Sequence, residues 1–534
     1  MLGVDFDCAL WRRTRYAHEC LLASNAAAGV MLRAYLAWFA AAFALTFVLQ
    51  MQGGAYTADF AGNPDEPAHY VTGVMFRDYV TTIPWTSPVA FAHAFYDRYP
   101  MVAIGHWPPV FYVVQSLWTI PAGVSPPSVM LLMAVLTAAA AMTIFAFWRA
   151  RFGSVGAGAL AVAFVCVPIV QIYSRMLMAE MLMAFFMASA AYAYRVYIDA
   201  PHWRPSVAFA LVASAAILTK ANGLALGMLP PLAIVFARRL ELTRRGDFWL
   251  PAAIVAVICA PWYALTFDLA REGWSASYDP SWLIRQPAAV NASYLLHIIG
   301  VPLFALALAG FVVALAPRRG RGAAPDSAVM GALLLSIWLF NTFVVPVRDM
   351  RHFIPAVPAL IGFAGIAVGA ALPAVSRTAV ALLGIAAALG FSLFAHSPRK
   401  PSMGADVAAA QVLSHTAHSE TVLVSSARHG EGVFIAALVA QERQPGRRIV
   451  RAGKVLSDSS WNGSNYRLLH ETTDHAGQYL RAAGIRTIAI DLGASSSNSV
   501  PHHRQLLEIV SDSRRWRRVD STGISAFRVF QAVQ

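Results

Sequence analysis

Residues 31–50 read MLRAYLAWFAAAFALTFVLQ, and residues 62–73, shortly after them, read GNPDEPAHYVTG. The first stretch is apolar for about the 20 residues that a helix needs to cross a bilayer. The second sets two neighbouring carboxylates, Asp65 and Glu66, between prolines and follows them with His69. A span delivers its end to the membrane surface, so this acid pair is expected at a span end. Ionisable groups at such depths are costly and mark function more often than packing.

The same texture runs through the chain. Of 534 residues, 58% are hydrophobic and 13% charged, with a mean hydropathy of +0.54. Soluble domains carry roughly 25% charged residues, so the bilayer is the main solvent of this chain. The net charge of +13 does not require nucleic acid, because arginines in cytoplasmic loops fix topology and no nucleic-acid motif accompanies them. Cys8, Cys20, Cys166 and Cys259 avoid the candidate outer loops and the polar tail, so no structural disulfide is expected there. Cys8, His18 and Cys20 fit no zinc spacing. The run at 31–50 begins late for a signal peptide and no small-residue cleavage motif follows it, so it is read as a permanent helix.

Hydropathy places about eleven spans, near 31–50, 128–148, 155–172, 181–197, 206–218, 224–236, 250–267, 294–316, 328–345, 353–372 and 378–394. Arg12, Arg13, Arg15 and Arg33 hold the first N-terminus in the cytoplasm, and RRLELTRR (238–245) and RRGRG (318–322) then fall on that same side. Residues 1–30 are expected to be a cytoplasmic segment and 31–396 a transmembrane catalytic domain with a large first outer loop, 51–127. That loop is rich in aromatics, which suit the headgroup region, and its run 108–121 is too short for an easy span, so an interfacial or re-entrant helix is expected. Residues 397–534 change character: TVLVSS, RRIVRAG and RTIAID read as strands, EGVFIAALVAQE and HHRQLLEIV as helices, and RRWRRVD with ISAFRVFQ as a final strand pair. Alternating strands and helices give a small soluble α/β domain, which this threading puts outside the cytoplasm. The fold class is thus a polytopic α-helical membrane protein with a small C-terminal extracytoplasmic α/β domain.

This threading gathers Asp65, Glu66, His69, His106, Arg175, Glu180, Lys220, Arg348 and Arg351 on one side, close to span ends. A carboxylate beside an acceptor hydroxyl acts as a general base. Lysine and arginine hold a phosphate, arginine bidentately. A transfer reaction needs both, one group to deprotonate the nucleophile and another to stabilise the departing anion. Asp65 or Glu66 suits the first role; Lys220, Arg348 and Arg351 suit the second. Structural roles compete at each position. Asp65 and Glu66 suit a helix cap, Glu180 a pair with Arg175, Lys220 a snorkelling position, and Arg348 and Arg351 a pair with Asp349. A divalent metal held by Glu66, His69 and His106 stays open, although the spacing is no recognised pattern. Asn291-Ala-Ser and Asn462-Gly-Ser match the glycosylation pattern but are too short to carry weight.

Six segments, in order, resemble those of the polytopic glycosyltransferases of the C superfold, particularly protein O-mannosyltransferases and the lipid A aminoarabinose transferase. They are PDEPAHY (64–70), GHWPPVFYVVQSLW (105–118), SRMLMAEMLMAFF (174–186), ILTKANGLALGMLP (217–230), APWYALTF (260–267) and RHFIPAVPAL (351–360). The likeness covers about 32–372. Trp107 interrupts the usual His-Pro-Pro, Glu180 stands where Asp is commoner, and His352 replaces the usual Tyr.

The resemblance implies an inverting transfer of a sugar from a polyprenyl-phosphate donor to a lipid, glycan or protein acceptor on the outer face of the membrane. The Ala- and Arg-rich usage points to a bacterial inner membrane, and an endoplasmic reticulum enzyme would have the same orientation toward the lumen. The resemblance also implies Asp65 as general base with Glu66 beside it, and Lys220 and Arg351 at the donor phosphate. Arg348, ranked after Arg351 for the phosphate, and His69, His106, Arg175 and Glu180, as substrate-binding or structural residues, are read from their place on the same face. The competing class is a transporter or flippase of lipid-linked glycans. Such proteins show internal repeats and midplane ionisable groups, and the sequence shows neither.

Overall fold

The computed structural model describes residues 6–533 apart from 84, 104, 275–286, 317–320, 345–348, 396, 427–428, 443–445, 460–464, 494–499 and 520–524. The chain opens with α1 (Phe6–Gln52), followed by α2 (Glu66–Thr82), α3 (Pro88–Arg98), α4 (Val110–Ala122), α5 (Pro126–Cys166), α6 (Pro168–Ser174) and α7 (Glu180–Asp199). Among the described residues, seven helices are long and apolar enough to cross a membrane, or eight when one bent pair counts as a span. Each of the hydropathy maxima in the sequence falls on an apolar helical segment, but several segments are shorter or broken where a single helix is expected.

Glycine and proline account for the breaks. α5 has 41 residues, at 1.5 Å per residue about twice a bilayer core. It divides at Gly153, whose φ of 75° is open to glycine at little cost, and so holds two of the expected spans. The span expected at 294–316 is likewise broken. Gly300 has a φ of 74°, and the helices Ala288–Ile299 and Val301–Leu315 meet at 112°. The segment at 224–236 begins as a 3-10 turn, Ala221–Met228, and becomes α-helical only at Leu229–Phe236, where Pro230 and Pro231 occupy first-turn positions that need no amide hydrogen bond. The helix Pro325–Leu339 runs out in a π-turn, Phe340–Val344, and the next span opens as the 3-10 turn Met350–Ala356.

Broken helices free backbone and polar groups that lipid cannot satisfy. A buried amide cluster answers part of this: Asn222 Nδ2 donates to Asn341 Oδ1 at 2.9 Å, and Asn291 Nδ2 to Asn341 O at 3.0 Å and Thr342 Oγ1 at 3.1 Å. The cluster ties the turn after Lys220 to the π-turn. It also commits the amide of Asn291, which is 2% exposed and so unsuited to glycan attachment; Asn462 lies outside the described residues. Elsewhere small residues let helices touch. A methyl group on Gly310 would stand 1.8 Å from Phe363 O, so Val301–Leu315 lies against the backbone of Val357–Ala371.

The tail is an α/β unit as expected. Strands β1 (Thr421–Ser425), β2 (Arg448–Arg451), β3 (Ser457–Asp458), β4 (Arg467–Leu468), β5 (Thr487–Asp491), β6 (Trp516–Arg518) and β7 (Phe527–Ala532) form a five-stranded sheet in the order β2-β1-β5-β7-β6 and a β3-β4 ribbon. β1 is parallel to β2 and β5, whereas β7 runs antiparallel to β5 and to β6. Helix Gly430–Gln441 crosses from β1 towards β2 and packs on α2; Gly432 leaves room for Met101 and Pro67. Tyr99 Oη donates to Glu442 Oε2 at 2.5 Å. The α/β unit therefore rests on the loop that follows α1.

Gly310→Ala should force the two helices apart and cost roughly 1–3 kcal/mol, seen as a lower thermal midpoint of the purified protein. Gly390→Ala, at a helical glycine with nothing within 4 Å of the added carbon, should leave the midpoint unchanged.

Candidate active site

Asp65, Glu180, Lys220 and Arg351 come from four distant parts of the chain and meet at one end of the bundle. Asp65 precedes the first turn of α2, where Pro67 fixes the helix start. Asn63 shapes the approach, its Oδ1 accepting from Asp65 N at 3.0 Å and its O from Glu66 N at 3.1 Å. The Asp65 carboxylate makes no capping hydrogen bond; its Oδ2 accepts from Arg351 Nη1 at 3.1 Å. The capping role open in the sequence is thus not the one its side chain performs.

Arg351 stands in the 3-10 turn that opens its span. Asp349 caps that turn, its Oδ1 accepting from Arg351 N at 3.0 Å, while its Oδ2 lies 2.9 Å from Arg351 Nε. The same Nε is 3.6 Å from Glu180 Oε1, and neither contact aligns an N–H for a hydrogen bond. Glu180 is the first residue of α7, where the helix dipole favours a carboxylate. It is wholly buried, and Lys220 Nζ donates to its Oε1 at 2.5 Å. Lys220 sits in extended backbone between helix Trp203–Ile217 and the following 3-10 turn. Two of the recognised segments hold that turn: Val110 N donates to Leu218 O at 2.9 Å, and Tyr263 Oη to Ile217 O at 3.0 Å. Three carboxylates and two cations thus share one partly dehydrated cluster.

His69, one turn into α2, packs its ring against Trp107 at 4.5 Å between centroids, and its Nδ1 meets Tyr112 Oη at 3.0 Å. Burial pulls its pKa down to about 4, against the opposing pull of the Asp65 charge, so it is a neutral ring at ordinary pH. His106 is half-buried, its ring 6.4 Å from that of Trp107. Arg348 lies outside the described residues.

Glu66 and Arg175 belong to a second group. Glu66 is fully buried; its Oε1 accepts from Lys400 Nζ at 2.6 Å and Leu177 N at 2.9 Å, and its Oε2 from Gly62 N at 3.0 Å. Burial pushes its pKa up, and the Lys400 ammonium pulls it back. Arg175 does not pair with Glu180, as the sequence allowed. It reaches instead to Ser397 Oγ at 2.8 Å, Pro398 O at 3.1 Å and Gln171 Oε1 at 3.1 Å. Lys400, in SPRKPSM (397–403), is the residue that sequence reasoning missed, because a lone lysine in a polar, proline-flanked linker carries no signal of burial. Among the described residues, no group of three His, Cys, Asp or Glu side chains is arranged to hold a metal ion.

No protein-family profile matches the sequence, and no curated protein matches it. Solved structures do match it in three dimensions. ArnT from Cupriavidus metallidurans bound to undecaprenyl phosphate aligns over 93% of this chain and 98% of its own, with TM-score 0.60 and 16% identity. The oligosaccharyltransferase of Archaeoglobus fulgidus aligns over 86% of this chain and 69% of its own, with TM-score 0.55 and 14% identity. The chain has the C-type glycosyltransferase fold. Its alignment with ArnT extends well beyond the 32–372 covered by the recognised segments, so the resemblance in sequence reflects a shared architecture. Within that fold, four of those segments supply the charged cluster and two brace it.

Glu180→Gln removes the carboxylate that Lys220 and Arg351 share. Arg351 keeps Asp65 and Asp349, but the partly buried Lys220 loses its carboxylate partner, so the change should cost about 3 kcal/mol, measured as a fall in the thermal or denaturant midpoint. The folded value of His69 lies below its unfolded value of 6.5, so the unfolded chain binds more protons between the two. Stability from this group is complete above pH 6.5 and is lost as pH falls towards 4, by up to roughly 3 kcal/mol. His69→Phe should flatten that part of the stability–pH curve.

Proposed function

We propose that this protein is an inverting glycosyltransferase. It moves a sugar from a polyprenyl-phosphate donor to a hydroxyl-bearing lipid, glycan or protein acceptor at the outer face of a bacterial inner membrane, with the N-terminus cytoplasmic and residues 397–534 outside. The observation that carries this reading is the Asp65–Arg351 contact of 3.1 Å, which puts a partly exposed carboxylate beside a guanidinium at the mouth of a C-type bundle. The polyprenyl phosphate bound by ArnT supports the choice of donor.

In this reaction the acceptor oxygen attacks the anomeric carbon from the face opposite the phosphate. The new C1–O bond forms as the C1–O–phosphate bond breaks, and the configuration inverts. The acceptor proton passes to Asp65, and the bonding pair leaves with the polyprenyl phosphate. Lys220 and Arg351 stabilise the negative charge that grows on that phosphate. Arg351 contacts Asp65 before the donor enters, so the donor phosphate takes over the guanidinium and releases Oδ2 to receive a proton. Glu180 holds both cations in place. His69, as a neutral ring against Trp107 and Tyr112, shapes the wall beside Asp65 rather than carrying charge. Glu66 sits beside the base in sequence, but its three partners give it a positioning role rather than one in proton transfer.

With a polyprenyl-phosphate sugar labelled in the sugar, membranes containing the protein should transfer label to an acceptor and release polyprenyl phosphate. Intact labelled lipid crossing the bilayer with no release would identify a transporter instead. Asp65→Asn should insert and fold normally and lose about 10²–10⁴-fold in release rate; full activity in that variant would remove Asp65 from the chemistry.

A further inference from the structure

Residues 397–405 form a strap across the turn that carries Asp65. Lys400 N donates to Gly53 O at 2.8 Å. Asp59 Oδ2 accepts from Met403 N and Ala405 N, both at 3.0 Å. Arg175 clasps Ser397 and Pro398. At the centre, Lys400 Nζ meets Glu66 Oε1 at 2.6 Å, with side-chain exposures of 1% and 0%. The far end of the strap is anchored in the α/β unit: Ala526 N donates to Met403 O at 2.9 Å and Ser525 Oγ to Gly404 O at 2.7 Å, immediately before β7.

Glu66 is the junction. Its two oxygens join the strap to Gly62, ahead of Asp65, and to Leu177, three residues before Glu180. One carboxylate therefore fixes the approach to Asp65, the approach to Glu180 and the linker to the α/β unit in a single arrangement. Apolar packing would let these segments slide past one another. A dehydrated ion pair does not, because any slip leaves an uncompensated buried charge.

We propose that Lys400 is a positioning residue for the transfer reaction. Through Glu66 it sets the backbone at Asp65, and through the strap it makes the alignment of the base depend on how the α/β unit is seated. This rests on the reading of Asp65 as base. The α/β unit then does more than decorate the bundle: a change in its seating, such as one on acceptor binding, reaches Asp65 through Met403, Lys400 and Glu66.

The test uses the full chain in lipid nanodiscs, as wild type, Lys400→Met, Glu66→Gln and the double variant Lys400→Met/Glu66→Gln. Two quantities are read: kcat and donor KM for release of polyprenyl phosphate, and amide hydrogen exchange across residues 59–66. Lys400→Met should lower kcat about 100-fold, the order expected of a misplaced catalytic group, with donor KM unchanged and exchange across 59–66 accelerated. The double variant strands no charge, so it should recover the thermal midpoint while kcat stays low. Recovery of both midpoint and kcat in the double variant would reduce the pair to a structural role and overturn the proposal, as would unaltered exchange at 59–66 in Lys400→Met. Should wild type release no polyprenyl phosphate, the reading of function fails separately, and the exchange measurement still decides whether the strap holds the Asp65 turn.

Discussion

Glu180 has no exposed surface, and its carboxylate lies among apolar helices, where an unpaired ion would cost several kcal/mol. That cost fixes the geometry around it. Lys220 and Arg351 are brought to Glu180 because it needs cations, and Arg351 in turn reaches Asp65 and Asp349. Four turns from separate parts of the chain are thus registered to one another by charge rather than by shape. Apolar helices in lipid have little hydrophobic reason to prefer one axial register over another, so a few ion pairs decide how the span ends line up.

Those span ends are irregular for a related reason. A continuous helix carries its backbone groups satisfied and its side chains pointing outward or into neighbours. A charged side chain held at a span end needs a turn there. Lys220 lies in extended backbone between two helical turns, Arg351 in a 3-10 turn, and Asp65 just ahead of a helix. The Asn222–Asn341–Asn291 cluster and the Tyr263 hydroxyl take up donors and acceptors around those breaks. The Pro-Trp-Tyr segment therefore has a physical task in the Lys220 turn, distant in sequence but adjacent in space.

Hydropathy made the spans legible, because a bilayer tests each segment nearly alone, and the tail's alternation of strands and helices was legible for the equivalent reason in water. Glu180, Lys220 and Arg351 stood out because charge is rare in such a chain. What stayed hidden was partnership. Five residues in sequence suggested an Arg175–Glu180 pair, whereas Arg175 turns to Ser397 and Glu180 to Lys220 and Arg351. Asp65 and Glu66 are adjacent and looked like one acid pair, yet the helix start sends the first to Arg351 and buries the second against Lys400. No periodicity encodes a contact across more than 300 residues, so Lys400 was invisible. Gly300 was visible as a glycine but not as a bend of 112°, since the apolar pattern continues unbroken through it.

In the proposed reaction the cluster also constrains how an anionic donor enters. Among the described residues, Asp65, Glu180 and Asp349 face Lys220 and Arg351, three formal negative charges against two positive. A phosphate arriving among these five groups adds negative charge, and is accepted by exchanging partners with them. Glu180 is the least able to give up its cations, because it is fully buried and would be left uncompensated. Asp65 and Asp349 are partly exposed, with 18% and 35% of their side chains open, and water or a hydroxyl can replace the guanidinium at either. The exchange therefore falls on Asp65 and Asp349 rather than on Glu180, and in the proposed reaction the release of Asp65 frees its carboxylate for the acceptor. In the proposed reaction the resting Asp65–Arg351 pair keeps the base occupied until a donor is present, which links substrate binding to the readiness of the base.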